Sequence, residues 1–334
     1  MKALVTGGGG FLGSAICRKL IERGDTVRSF SRGSYPELDA LGVETVRGDI
    51  ADKDALRSAA RGCRVVFHAA AKAGLWGSKE DFHSANVDGT KNVIDACIAE
   101  GVNKLVHTSS PSVVFGGEGQ EGIDESAPYP ETFLAEYPKT KAEAERLIID
   151  ANGGFLATVA LRPHLIWGPG DNHIVPRLIA RRKAGQLRRI GSGNPKVDSV
   201  FVDNAADAHL LAADKLPDIG GKIYFISNNE PMPVWDLIDG ILNAAGLPPV
   251  EGSIPSSLAY GIGFALETAY STFGLSGEPR MTRFLAKELS EPHWFDTAAA
   301  GRDLGYEPKV SIEEGLKRLA ESFEVREISH PSAT

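Results

Sequence analysis

The sequence predicts an α/β protein built on a doubly wound parallel sheet, with a smaller, mostly helical lobe after it. Three observations carry that expectation. Short apolar strands alternate with helical patterns through the first half. A glycine-rich turn stands between the first strand and the first helix, and the rhythm changes after Arg162-Pro163. The strand candidates are residues 3–6, 26–30, 43–46, 65–69, 105–108 and 158–161. Between them Ile16, Leu20 and Ile21 recur at helical spacing, as do Val93, Ile94, Cys97 and Ile98. Strands separated by helices imply right-handed crossovers, and hence a parallel sheet covered on both faces.

Residues 164–199 are rich in proline, glycine and arginine. A strand at 199–202, a helix at 204–213 and a strand at 222–227 read as a return to the sheet. From about Met232 onward the pattern is helical, with loops at Pro248-Pro249 and at 276–279. The expected division is a sheet domain over 1–163 with a return segment at about 198–227. A second lobe is assembled from 164–197 and 228–326, and the tail at 327–334 is expected to be flexible.

Of the 334 residues, 42% are hydrophobic and 24% charged, and the formal net charge is −8. This acidic balance gives no electrostatic reason to expect a nucleic-acid partner. The basic clusters Arg181-Arg182-Lys183 and Arg188-Arg189 read as solvated faces. Cys17, Cys63 and Cys97 are odd in number and lack metal-ligand spacing, so neither a disulfide framework nor a metal site is expected, and a cytoplasmic setting fits. The first strand runs straight into the glycine turn, which leaves no room for a secretory signal. No uncharged apolar run reaches the ~20 residues of a membrane span, so any membrane contact is peripheral.

The turn reads Thr6-Gly7-Gly8-Gly9-Gly10-Phe11-Leu12-Gly13, with glycines spaced G-x-x-G-x-x-G. Gly7 tolerates positive φ, Gly10 lets backbone approach a pyrophosphate, and Gly13 lets helix and strand pack closely. Phe11 and Leu12 open the helix, whose N-terminal donors suit phosphates. The pattern predicts a dinucleotide site on a Rossmann domain. The second strand ends Arg28-Ser29-Phe30-Ser31-Arg32, without the carboxylate that would bind a ribose 2′-hydroxyl. Arg32 can instead pair with a 2′-phosphate, so NADP(H) is the expected cofactor. Asp49 and Ile50, after the third strand, are placed at the adenine edge, where Asp49 serves equally as a loop cap.

Tyr137-Pro138-Lys139-Thr140-Lys141 opens a helical stretch, and residues four apart share one helix face. A nearby ammonium favours the phenolate and lowers a tyrosine pKa, so Tyr137 and Lys141 are a candidate proton-transfer pair. Ser109-Ser110 follows the fifth strand, where ligands bind in open α/β sheets, and either hydroxyl can serve on spacing alone.

Taken together, the glycine turn, Asn86-Val87-Asp88-Gly89-Thr90, Ser109-Ser110, Tyr137 with Lys141, and Arg162-Pro163 resemble the extended short-chain dehydrogenase/reductase family over nearly the whole chain. Gly277-Glu278-Pro279, Thr282-Arg283-Phe284, and 304–306 through 311–315 are similar to its 3β-hydroxysteroid dehydrogenase/isomerase branch. Residues 71–78, 161–171 and 292–294 resemble bacterial reductases of 2-alkyl-3-oxoalkanoates in long-chain olefin biosynthesis. The resemblance implies that Ser110 faces the substrate. It places Pro163 and His164 at the nicotinamide, with packing the other role open to His164. Asn86 is implied to bend its helix or relay a proton, with an N-cap the plainer role. Phe115-Gly116 stands where sugar-nucleotide epimerases carry a tyrosine before the glycine.

The expected activity is an NADPH-dependent oxidoreductase acting on the 3-ketone of a hydrophobic 2-alkyl-3-oxoalkanoic acid. A 3β-hydroxysteroid dehydrogenase, a sugar-nucleotide epimerase or dehydratase, and a non-catalytic NADP-sensing protein are the competing readings. Leu258, Ile262, Leu266, Ala269 and Phe273 keep near-helical spacing. They read as an acyl-pocket lining, as ordinary lobe packing, or as a lipid-touching surface. Lys72 or Arg177 could meet a substrate carboxylate. Homodimerisation and association with pathway enzymes stay open.

Overall fold

Alternation along the first strand shows how the two sheet faces arise. In the computed structural model, which describes residues 1–329, β1 (Lys2–Thr6) buries Ala3 and Val5 in one core cluster and Leu4 in another. A strand buried on both faces belongs inside a parallel sheet. β1 lies between β2 (Thr26–Ser31) and β4 (Val65–His68). With β3 (Glu44–Arg47), β5 (Lys104–Thr108), β7 (Ala157–Pro163) and β12 (Ile223–Ile226), they form seven parallel strands ordered β12-β7-β5-β4-β1-β2-β3. A smaller sheet joins β6 (Gln120–Ile123), β10 (Lys196–Val197), β13 (Met232–Pro233) and β15 (His293–Phe295). Two strand pairs remain: β8 (Ile166–Trp167) with β11 (Val200–Phe201), and β9 (Arg189–Ile190) with β14 (Ser253–Ile254).

α1 (Phe11–Glu22) packs on α8 (Val202–Lys215) over the face of Ala3 and Val5. α3 (Lys53–Ala60), α5 (Gly89–Glu100) and α6 (Glu136–Asp150) cover the face of Leu4. α2 (Pro36–Ala40) and α4 (Lys79–His83) are short helices in the connections. The second lobe uses α7 (Ile174–Lys183), α9 (Val234–Ala244), α10 (Ser256–Phe273) and α11 (Arg283–Glu288). α12 (Ala298–Leu304) and α13 (Ile312–Ser329) follow. Residues 327–329 therefore continue a helix, and the rest of the expected flexible tail lies outside the described residues.

All six strands expected in the first half lie in the large sheet, and 222–227 supplies its edge strand β12. Residues 199–202 do not join it. β12 already occupies the edge of β7, and the Val200 amide donates to the carbonyl of His164 just past that strand, so β11 pairs with β8 instead.

Of the three readings of the α10 stripe, the acyl-pocket lining is the one the structure overturns. The helix turns its small residues inward, with Ala259 and Gly263 buried, and a Cβ at Gly263 would fall 2.6 Å from the Thr282 backbone. Buried Glu267 pairs with Arg283 at 2.6 Å. Leu258, Phe264 and Phe273 are 52%, 55% and 74% exposed. Close backbone approach, which only small side chains permit, decided the orientation against the bulky stripe. No helix among the described residues is long and apolar enough to cross a membrane.

Helix α6 is locked to the sheet by a buried ion pair. Arg162 on β7 donates from Nε to Glu145 Oε2 (3.0 Å) and from Nη2 to Oε1 (2.7 Å), and Tyr129 donates its hydroxyl to Oε1 (2.7 Å). The pair's side chains are 2% and 0% exposed. Removing one member leaves an uncompensated buried charge. Glu145→Gln should therefore destabilise the fold by roughly 3–5 kcal/mol, read from the denaturation midpoint, while an apolar Glu145→Leu/Arg162→Met double substitution recovers most of the loss. A single-variant loss below about 1 kcal/mol would refute the pair's structural weight.

Candidate active site

A cavity of about 1010 Å³ runs past the carboxyl ends of the central strands. At one end lies the glycine turn. Gly7 has φ +71° and donates its amide to the Phe30 carbonyl (2.8 Å), while Gly10 donates to the Gly7 carbonyl (2.8 Å). A Cβ at position 13 would sit 2.1 Å from the Gly7 oxygen, so only glycine fits. Gly10, Phe11, Leu12 and Gly13 border the cavity at the start of α1, whose cap residue Gly10 offers no side-chain bond. The first-turn amides are thus left for an anionic ligand, which fits the phosphates of a dinucleotide.

Arg32 borders the cavity from the end of β2, and its guanidinium has no ion-pair or hydrogen-bond partner among the described residues. Arg47 lies against it, donating Nε to the Arg32 carbonyl (2.8 Å). Asp49 combines two features, since it borders the cavity and accepts the Ala51 amide at 2.9 Å. Ile50 is buried where Gly89 leaves room, 2.5 Å from the position of an added Cβ. Tyr35 had not been anticipated. Its ring covers Gly9, where a Cβ would fall 2.0 Å from the ring.

The candidate proton-transfer groups meet farther along. Tyr137 occupies the first turn of α6, where the following Pro138 gives up no needed amide. Its hydroxyl lies within interaction range of Ser110, which shares a 2.9 Å bond with the Ser112 hydroxyl and accepts the Ser112 amide (3.2 Å). Ser109 is buried, with a hydroxyl lacking a partner among the described residues. Burial pushes the Tyr137 pKa up; the Ser110 hydroxyl pulls it down by less, and the Glu288 carboxylate adds to the rise. The expected lowering by Lys141 is not what the structure shows. Lys141 is turned away to donate to the Thr108 carbonyl at 2.5 Å.

Burial also pushes Lys141 down to about 8. Around it lie histidines of β4, β5 and α8 that burial keeps neutral. His68 is pushed down to about 3, His209 to about 4, and His107, 3.4 Å from the Lys141 ammonium, falls well below its ordinary value. Asn86, 2% exposed, accepts the Lys72 amide (2.7 Å) and donates to the Lys72 carbonyl (3.1 Å) and the Thr140 hydroxyl (3.0 Å). It sits in a π-helical turn, Ser84–Asp88, between α4 and α5, so it is no N-cap.

Pro163 and His164 border the cavity where β7 ends. His164 also packs: Nδ1 faces the Asp198 carbonyl (2.8 Å) and Nε2 faces His293 Nδ1 (2.9 Å), while His293 Nε2 reaches the Glu288 carbonyl (2.7 Å). Glu288, which sequence reasoning did not single out, and His293, read there only as part of the 292–294 resemblance, are brought here by the fold of the second lobe. The second lobe supplies a mostly aliphatic part of the lining, with Ile174 and Leu178 beside Arg177 and Arg181 from α7, and Val234, Leu237, Ile238 and Ile241 from α9. None of the α10 residues lines the cavity. Lys72 and Arg177 are already engaged, with Asp81 at 2.6 Å and with Glu278 at 2.7 Å. Among the described residues no cluster of side chains could hold a metal ion.

Comparison with known proteins places this arrangement. The sequence matches the 3-beta hydroxysteroid dehydrogenase/isomerase family over residues 4–255. It is 52% identical over 329 residues to a 2-alkyl-3-oxoalkanoate reductase of Stenotrophomonas maltophilia, covering 96% of this chain and 99% of that one. It is 51% identical over 332 residues to the Shewanella oneidensis protein of the same name, covering 96% and 86%. Among solved structures, MoeE5 in complex with UDP-glucose and NAD superposes with a TM-score of 0.75 at 25% identity, covering 98% and 99% of the two chains. A glycine turn with free helix-N-terminal donors, a tyrosine–serine contact and a buried lysine thus sit on a chain that belongs to the 3-beta hydroxysteroid dehydrogenase/isomerase family of nicotinamide-dependent oxidoreductases.

Proposed function

We propose that this chain is an NADP(H)-dependent reductase that transfers hydride to the 3-ketone of a hydrophobic 2-alkyl-3-oxoalkanoic acid. The observation that carries the reading is that one cavity is bordered by Tyr137, Ser110 and Lys141, by the glycine turn and by aliphatic side chains of the second lobe. Half-identity to reductases named for that substrate supports it.

The reduced nicotinamide, when bound, supplies the hydride. Gly7, Gly10, Phe11, Leu12 and Gly13 would hold the dinucleotide's phosphates, Asp49 and Ile50 its adenine edge, and Pro163 and His164 its nicotinamide end. Ser110 holds the ketone oxygen against Tyr137 as negative charge develops on it. Tyr137 keeps its proton at neutral pH because burial raises its pKa, and it gives that proton to the forming alkoxide. Lys141, one helical turn on, can hold the nicotinamide ribose, while Ser110, which lowers the Tyr137 pKa, steadies the phenolate left behind.

Arg32 selects the phosphorylated cofactor, since an exposed guanidinium without an internal partner suits a 2′-phosphate. Arg32→Asp should weaken NADPH far more than NADH in paired KM measurements. Equal losses for both cofactors would count decisively against the role.

The ammonium of Lys141 exists below its pKa of about 8 and is lost above it, whereas Tyr137 stays protonated throughout that range. The pH profile of kcat/KM for reduction should therefore be level near neutrality and fall as pH rises through about 8. A fall that begins only near ~10, the ordinary lysine value, would mean the ammonium is not desolvated.

The substrate is tested by measuring kcat/KM for β-keto acids of increasing chain length beside a 3-ketosteroid and a UDP-sugar. Each buried methylene adds up to ~0.8 kcal/mol, a few-fold per carbon. Long chains should win; a flat profile, or a steroid preferred over every acyl substrate, would shift the assignment to a sterol dehydrogenase.

A further inference from the structure

We propose that Arg181 holds the substrate's carboxylate through a two-point contact of its guanidinium, and so selects acids over neutral ketones. The proposal rests on the acyl-substrate reading above. Its ground is a comparison of the cations that border the cavity. Lys141 donates to the Thr108 carbonyl, Lys72 is paired with Asp81 at 2.6 Å, and Arg177 meets both oxygens of Glu278 at 3.2 and 2.7 Å. Arg32 stands at the opposite end, beside the glycine turn. Among the described residues, Arg181 is the cation of the substrate lobe that borders the cavity with no hydrogen bond or ion pair of its own.

The surroundings make that vacancy of partners costly. Arg181 shares the cavity-facing side of α7 with Ile174 and Leu178, and Leu237, Ile238 and Ile241 face the same space from α9. Burial and the neighbouring Arg177 pull its guanidinium below the ordinary arginine value, and Glu278 offsets this only in part. A cation taken out of water without a counter-charge is unfavourable, and an arriving anion reverses the deficit. The planar fork of arginine matches a carboxylate at two points. The aliphatic neighbours offer no further donors, such as the third oxygen of a phosphate would need. A carboxylate is also the anion the proposed substrate carries.

β-Keto acids lose carbon dioxide spontaneously, so the test runs in the oxidative direction. The 2-alkyl-3-hydroxyalkanoic acid and its methyl ester are compared with NADP+ as oxidant. The hydroxyl carbon loses hydride to the nicotinamide and its hydroxyl proton to Tyr137 in its phenolate form, whose fraction grows with pH, and the carboxylate or ester takes no part. Wild-type enzyme should prefer the acid in kcat/KM by roughly ten- to a hundred-fold, the worth of a charge-assisted bidentate contact. In Arg181→Met the acid-to-ester ratio should fall to about one. Arg181→Lys, which keeps the charge and the aliphatic stem but not the fork, should lie between, and it supplies a folded protein if the methionine variant melts early. An unchanged ratio in both variants overturns the assignment of Arg181 while leaving the acyl substrate intact. A wild-type enzyme that oxidises neither acid nor ester, but does oxidise a 3β-hydroxysteroid, overturns both readings.

Discussion

The geometry of the cavity depends on a charge pair that never meets water. Glu145 lies two turns along α6 from Tyr137 and one turn from Lys141, and Arg162 stands on β7 just before Pro163 and His164. Their two-point contact fixes the azimuth and height of α6 against the sheet, so it places the phenol and the ammonium relative to the strand end that borders the same cavity. Tyr129 adds its hydroxyl to the carboxylate, and Phe225 lies under the guanidinium with its ring centroid 5.0 Å away. A hydrophobic pair could hold the helix as tightly, but without the same directional constraint.

A second electrostatic arrangement lies beneath the site. Histidines on β4, β5 and α8 would repel Lys141 if they were charged, and their burial keeps them neutral. Within this buried cluster the fold thereby keeps the positive charge on Lys141, which a carbonyl rather than a carboxylate restrains. A lysine held by a neutral acceptor keeps its full field, whereas one neutralised by a partner carboxylate would not.

Most of the sheet was legible because its signals are local. Apolar strands, a glycine turn and a tyrosine four residues before a lysine are all spacings within one element. What escaped was set by tertiary contact. The bulky stripe of α10 suggested an inward face, yet Gly263 had to meet the Thr282 backbone, and that contact turned the stripe outward. Arg181 looked like part of a solvated basic run; the spacing Ile174, Arg177, Leu178 and Arg181 would have shown a shared face, but not that a cavity lay in front of it. Tyr35 and Glu288 reach the site through loop and lobe packing, for which the sequence carries no short-range signal, and the 292–294 resemblance gave no hint that His293 would stand there.

The π-turn at Ser84–Asp88 has a consequence for the placing of one side chain. It adds one residue to a turn, and one residue is about 100° of helical phase. Upstream of it Phe82 points into the protein, and downstream Thr90, Val93 and Cys97 do the same. Across the turn both faces stay in register with the core while Asn86 reaches Lys72 and Thr140. Deleting a single residue here would restore an ordinary helix with its two buried faces still in phase, because seven residues at about 100° each come within about 20° of two full turns. What the added residue supplies is therefore the place of Asn86, not the register of α5.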